Sequence, residues 1–314
     1  MKHLIQRYYF YISANFLFLK KKYKSAAYFY SKIIKSRPNF FNVQEKLGQC
    51  FIRSNLKKNG VLIVKGGAGD FLKSLAFMIN NKDLNYIVVT HFRGAELFYS
   101  SLGIKINRFY FFNDQDERAM IDKELLAIAN LYPCPQSDFL DPVFFSDPNP
   151  LPNKKTVGIH IGGSQFAVNE QIKHGVLTKN LTPDFLYALL DFLDEKDFNL
   201  ILFGTQDEMS ALNLTKYKNL ILANSPDILK NLTYVKHCNL LIGSDSVFKT
   251  MSSMLKIPTV VLLANVKDGY RDRVFIEPYV KSNIMKVIKF NDLMKASIDA
   301  LIGELDKEVK RLVG

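Results

Sequence analysis

Apolar positions along this chain follow two rhythms. Short unbroken aliphatic runs such as Val61-Leu62-Ile63-Val64 stop at glycine-rich turns, and segments with helical spacing follow them. The runs predict strands over 61–64, 85–90, 156–161, 200–204, 220–222, 240–243 and 257–263, with a weaker one over 108–112. Between them the spacing predicts helices over 71–78, 94–102, 116–131, 183–193 and 246–256, with Thr182 as N-cap and Pro183 at the first position of the fourth. Strands that are apolar on both faces and alternate with helices imply parallel sheets covered on both sides.

The first 58 residues have a different pattern. In a 34-residue frame starting at Arg7, Phe10, Ala14, Leu17, Ala26, Tyr30, Ile33 and Pro38 occupy the large, small and proline positions of a tetratricopeptide repeat, and Leu47-Gly48 opens a second frame. One repeat cannot bury its own face, so this segment reads as a helical cap over the next domain, or else as a docking surface. Leu56-Lys57-Lys58-Asn59-Gly60 breaks the pattern. Pro133, Pro135, Pro142, Pro148, Pro150 and Pro152 crowd a second break, read as an interdomain linker because proline blocks helix and sheet interiors. The expected organisation is a helical cap at 1–58, a Rossmann-like domain with the proline-rich linker at 59–150, and a second Rossmann-like domain with a terminal helix at 151–314.

Composition narrows the class. At 314 residues and 48% hydrophobic, the chain is long and apolar enough for about two globular domains. A net charge of +12, with a dense run at Lys20-Lys21-Lys22, favours anionic partners. Zinc-finger spacing, RNA-binding aromatic signatures and long basic tails are missing, which sets nucleic acid aside. Cys50, Cys134 and Cys238 form no CxxC pair and read as reduced thiols of a cytoplasmic protein. Residues 8–19 are aromatic and apolar but shorter than a membrane span, with no cleavage site after them, so a signal peptide is not expected. Bulky aromatics next to lysines suit either a membrane-surface helix on the inner leaflet or a buried repeat core.

Ligands of parallel α/β sheets bind beyond the carboxyl ends of the strands. That rule selects four loops: Gly66 to Asp70, Gly162 to Ser164, Gly204 to Glu208, and Gly243 to Ser246. In the first, Gly66, Gly67 and Gly69 allow close backbone approach. The loop lacks the Gly-Lys-Ser/Thr of a P-loop and the third small residue of a dinucleotide fingerprint, since Leu72 stands there. Asp70 would repel phosphate, so it reads either as an acid aimed at a neutral reacting group or as a helix N-cap. In the second half, Gly163, Ser164, Gly204 and the helix start at Asp245-Ser246 suit a diphosphate. Glu208 suits ribose hydroxyls, and Lys173 and Lys179 could neutralise phosphate. His160 lies in a strand and reads as a core histidine. No metal-ligand cluster is visible.

At these residues the chain resembles the heptosyltransferase-like glycosyltransferases, family 9 of the GT-B fold. Val61 to Asp70 is similar to their opening strand and Gly-Asp loop, and Gly158-Ile159-His160-Ile161-Gly162-Gly163-Ser164 to their Gly-Ile-His-Pro-Gly-Ala-Ser segment. Leu202-Phe203-Gly204 through Glu208 resembles their Phe-Gly-x-x-x-Glu, and Asp245-Ser246 with Pro258-Thr259 their Asp-Ser…Pro-Thr. The resemblance implies a GT-B-like pair of Rossmann-type α/β domains sharing a cleft, preceded here by a small helical segment. It implies an inverting transferase that needs no metal or cofactor and moves a heptose-like or other sugar from a nucleotide sugar to a bacterial surface glycan or glycolipid, at the cytoplasmic side of the inner membrane. Asp70 would be the general base, Glu208 would hold the donor ribose, and the Ser246 turn would hold the diphosphate. Val247 replaces the family's glycine, Thr250 stands at its phosphate-contacting histidine, and the chain has no tryptophan for its Lys-x-Trp-Pro stretch. These departures also fit a non-catalytic binding or scaffold protein on the same fold. A nucleotide-sugar epimerase is a third reading.

Overall fold

The computed structural model describes residues 2–36, 40–54, 56–141, 154–160, 162, 183–210, 212–264, 274–290 and 298–313. The chain divides into two compact units, Met1–Leu140 and Asp141–Gly314.

The first unit opens with three helices, α1 (Lys2–Leu19), α2 (Tyr23–Ser36) and α3 (Val43–Arg53). Consecutive helices pack on each other. Ala14 and Ala26 are fully buried at their contact, where small side chains let backbones approach. Leu47 and Gly48 of α3 are buried too. A Cβ on Gly48 would lie 2.9 Å from Phe77 Cε2, so any larger residue would have to displace that ring or move α3 away from it.

A four-stranded parallel sheet follows, in the order β3-β2-β1-β4, from β1 (Val61–Lys65), β2 (Asn85–Thr90), β3 (Arg108–Phe111) and β4 (Leu131–Pro133). Ile63 sits opposite Ile87 on one side and Pro133 on the other. The Ala68–Ile79 helix after β1 buries Phe71, Leu72, Leu75 and Met78.

Two expectations are corrected here. The helix expected over 116–131 is Gln115–Leu125, capped by Asp114, which accepts the Glu117 N–H at 2.9 Å. Asn130 takes φ +57°, a left-handed conformation that asparagine tolerates, and turns the chain into β4. Pro133 and Pro135 are therefore not linker. Pro133 ends an edge strand, where a missing N–H is tolerated, and Cys134 N–H donates to Ile63 O at 2.8 Å. The next residues are tied to this unit as well. Ser137 N–H donates to Lys73 O at 2.7 Å, and the buried Lys73 ammonium meets Asp138 at 2.5 Å. The prolines from Pro142 to Pro152 lie outside the described residues.

The second unit carries a six-stranded parallel sheet in the order β10-β9-β8-β5-β6-β7. Its strands are β5 (Thr156–His160), β6 (Asn199–Phe203), β7 (Leu220–Ala223), β8 (Leu240–Gly243), β9 (Thr259–Ala264) and β10 (Met285–Phe290). The chain runs outward through β5, β6 and β7, then returns to β8 beside β5 and runs the other way. With right-handed crossovers that reversal sends helices to both faces. The Pro183–Asp194 and Ile298–Val313 helices pack together, as do Ile228–Val235 and Val247–Met254. The core under the first pair is Leu186, Leu189, Leu190, Leu305 and Val309 against Val157, Ile159, Leu200 and Leu240. Two units with parallel sheets, preceded by a helical segment, are the α/β class read from the chain.

Candidate functional site

The carboxyl-end loops of each unit are built differently. In the first unit, β1 runs into Gly66, whose φ of +128° excludes most other residues. Its N–H donates to Val89 O at 2.9 Å, tying the turn to β2. The helix starts earlier than the apolar pattern suggests, with Gly67 as N-cap and Asp70 in its first turn. The half-buried Asp70 carboxylate turns back, and its Oδ2 accepts the Gly67 N–H at 3.0 Å. This is one arm of a capping box; glycine has no side chain to return the other. The N-cap is therefore Gly67 and not Asp70, which stands three residues on and reaches back to the cap from the first turn. Beneath the turn Phe71 lies 5.1 Å from the buried Tyr99 ring. Burial holds that phenol well above its ordinary pKa, and the Cys134 and Asp70 charges push the same way.

One residue at this turn escapes the sequence reading. His91 follows β2, and its Cε1 would lie 3.1 Å from a Cβ on Gly67. Its ring also packs on Phe112, with centroids 5.7 Å apart. The signal was available, because the carboxyl-end rule applies to β2 as well as to β1.

A cavity of about 450 Å³ runs beside β1 and β4, lined by Ile34, Lys35, Gln44, Lys65, Leu131 and Cys134 among others. The N-terminal helices thus form one of its walls. Burial, with Lys32 and Lys65 nearby, holds the Lys35 ammonium below the usual lysine range. Lys65 itself meets Asp122 at 2.5 Å.

In the second unit the strand order reverses between β5 and β8, and such a switch point is where open α/β sheets bind ligands. His160 ends β5 opposite Gly243. It is buried, 3.4 Å from Ser244 Oγ through Nδ1 and 4.9 Å from the Phe248 ring, as a core histidine would be. Ser244 Oγ also donates to Gly162 O at 3.1 Å, joining the two strand ends.

After β8, Ser246 is the N-cap of Val247–Met254, accepting the Lys249 N–H at 3.3 Å. The Asp245 carboxylate pairs with Lys249 Nζ at 2.7 Å, and that ammonium, 1% exposed, also reaches Phe275 O at 3.2 Å. The Lys249 charge is therefore committed inside the unit. Thr250 is buried, and its hydroxyl donates to Ser246 O at 3.1 Å within its own helix. After β6 comes the buried Gly204. Glu208 Oε2 then accepts the Thr205 N–H at 2.6 Å, while Glu208 N–H donates to Thr205 Oγ1 at 3.2 Å. That is a complete capping box, a second use for the carboxylate assigned to ribose. Gly163, Ser164, Lys173, Lys179 and Thr182 lie outside the described residues.

The sheet order and loop geometry can be set beside solved structures. The chain is similar to two E. coli heptosyltransferases. ADP-heptose lps heptosyltransferase II aligns at 13% identity and TM-score 0.46, over 81% of this chain and 100% of that one. Heptosyltransferase WaaC, solved with ADP, aligns at 8% identity and TM-score 0.48, over 80% of this chain and 98% of that one. S. aureus MnaA, solved with UDP, aligns at 12% identity and TM-score 0.49, over 81% and 89%. No protein-family model matches the sequence, and no curated protein matches it significantly.

Proposed function

We propose that this protein is an inverting glycosyltransferase that moves a sugar from a nucleotide donor to a glycan or glycolipid acceptor, without metal. The observation that carries the reading is the switch point between β5 and β8. There Gly243, the Ser246-capped helix and the joined ends of the two strands form a backbone-rich seat for a diphosphate. The motif order along the chain, from the Gly66–Asp70 turn to Pro258-Thr259, supports it.

In this reading Asp70 is the general base. Its Oδ2 stays on the Gly67 N–H, which orients the carboxylate, and Oδ1 takes the proton of the acceptor hydroxyl as that oxygen attacks the anomeric carbon. The sugar–phosphate bond breaks, and the nucleoside diphosphate leaves with the negative charge. Glu208 turns from Thr205 to the donor ribose, and the first turn at Ser246 receives the diphosphate. A bacterial surface glycan is the acceptor class that the family resemblance suggests.

The competing reading is a binding module on the same fold. It is favoured by Thr250, whose hydroxyl is spent on Ser246 O, and by the commitment of Lys249 to Asp245. A thermal-shift panel of nucleotides and nucleotide sugars, followed by assay of nucleotide release with candidate acceptors, separates the two. A ligand at 100 times its Kd stabilises the native state by about 2.7 kcal/mol, enough to raise the melting temperature. A shift with nucleotide release supports the transferase, and a shift with no release under any acceptor favours the binding module. No shift with any nucleotide or nucleotide sugar overturns both.

A further inference from the structure

Helix α1 buries one side and leaves a continuous apolar stripe on the other. Its inner side is fixed by the fully buried Ala14 and by Asn15, whose Oδ1 accepts the Tyr30 hydroxyl at 3.0 Å. On the outer side Ile5, Tyr9, Ile12, Phe16 and Leu19 are 63, 63, 66, 59 and 79% exposed. Their spacing of four, three, four and three keeps them within an arc of about 80°, since each residue turns the helix by about 100°. The stripe runs about 21 Å at 1.5 Å per residue. A single exposed isoleucine needs no explanation, but an unbroken row of five large apolar side chains marks a binding face.

The charge around the stripe selects its occupant. Residues 1–44 contain nine lysines and arginines and no aspartate or glutamate; the first acid is Glu45. Nine of the net +12 charges therefore lie in this stretch, leaving +3 for the other 270 residues (12 − 9 and 314 − 44). Lys20, Lys21, Lys22 and Lys24 are exposed where α1 ends, and Lys20 Nζ stands 5.8 Å from the Phe16 ring. A second copy of the chain would bring the same positive field against itself. Among the described residues no helix is long and apolar enough to cross a membrane. An apolar, aromatic stripe bordered by lysines and lacking acids suits a helix lying in the headgroup region of an anionic bilayer.

We propose that α1 is a membrane-surface anchor, seating Ile5, Tyr9, Ile12, Phe16 and Leu19 in an anionic lipid leaflet with Lys20, Lys21 and Lys22 on its phosphates. The inference is independent of the transfer reaction, because binding is read without any donor sugar.

The test is flotation of the full chain with phosphatidylcholine vesicles, with and without phosphatidylglycerol. Binding is expected only with the anionic lipid and should weaken as salt rises. Each lysine near an anionic surface contributes roughly fivefold, so replacing all three of Lys20, Lys21 and Lys22 with glutamine should weaken binding on the order of 100-fold. Ile12→Asp with Phe16→Asp alters only exposed side chains, so the far-ultraviolet circular dichroism should hold while vesicle binding is lost. A folded chain that stays unbound at low salt overturns the proposal, as does a double aspartate variant that binds like the parent. Light scattering that shows a dimer split by the two aspartates, with no vesicle binding, would assign the stripe to a second copy instead.

Discussion

The Gly66–Asp70 turn of the first unit and the Thr205–Glu208 turn of the second both follow a parallel strand and both place an acid in the first turn of a helix. They differ in what the acid holds. Glu208 and Thr205 exchange two bonds, so removing the carboxylate from Thr205 breaks a reciprocal pair. Asp70 bonds to a glycine that returns nothing from a side chain, and the helix start is also held by Asp70 N–H donating to Gly67 O at 3.0 Å. The first turn can therefore lend its carboxylate to chemistry and keep its shape. The second unit is built from committed groups, among them Glu208, Lys249 and Thr250, and its scaffold positions backbone donors.

The largest effect should come from Asp70→Asn. Asparagine can still accept the Gly67 N–H but cannot take a proton. Turnover should fall roughly 10²–10⁴-fold while nucleotide affinity and melting temperature stay near those of the parent. Unchanged turnover would reduce Asp70 to a cap. Next is Lys249→Met, which removes the buried ammonium that pairs with the partly exposed Asp245. Urea unfolding should show a loss of about 1.5–3 kcal/mol, part of it restored by adding Asp245→Asn. Intact stability with lost diphosphate affinity would instead make Lys249 part of the ligand site.

The reciprocal box gives a smaller effect. Thr205→Ala should cost about 1 kcal/mol in unfolding free energy and leave nucleoside binding in place. Glu208→Ala should weaken nucleoside binding more than binding of inorganic diphosphate, and equal weakening would remove the ribose role. The smallest effect tests the comparison directly. Gly67→Ser gives the first turn its missing arm, with the new Cβ 3.1 Å from His91 Cε1. A serine cap exceeds a glycine cap by only a few tenths of a kcal/mol. Turnover should nevertheless drop severalfold as Asp70 is held more firmly, and faster turnover would contradict the argument.

These contrasts also show which parts of the chain could be read in advance. The aliphatic strands β1, β6 and β9 are legible because burial on both faces leaves an uninterrupted apolar run. β4 is not. It has three residues, ends in proline, and is defined by pairing with β1 some 70 residues earlier, which no local pattern encodes. The apolar spacing of the helix before it continues past Leu125, although the helix ends there and the left-handed Asn130 turns the chain into β4. At the site, position was legible and conformation was not. Strand-end loops were found by rule, but an acid three residues after a cap serves equally as a cap or as a base. Thr205-x-x-Glu208 is itself a capping-box signature, which the ribose reading of Glu208 leaves unused. On α1 the aromatics were visible, yet which of them face outward depends on how α1 meets α2.

Pro133 has a consequence for solution behaviour. Side and main chain alternate along a strand, and Cys134 N–H points to β1. The nitrogen of Pro133 therefore faces away from β1, on the outer side of β4, and carries no hydrogen. A foreign strand approaching that margin finds one donor fewer at Pro133, which weakens any ladder it could form there. Among the described residues the sheet has four strands, and the proline on one of its two flanks disfavours the edge-to-edge stacking from which insoluble aggregates grow.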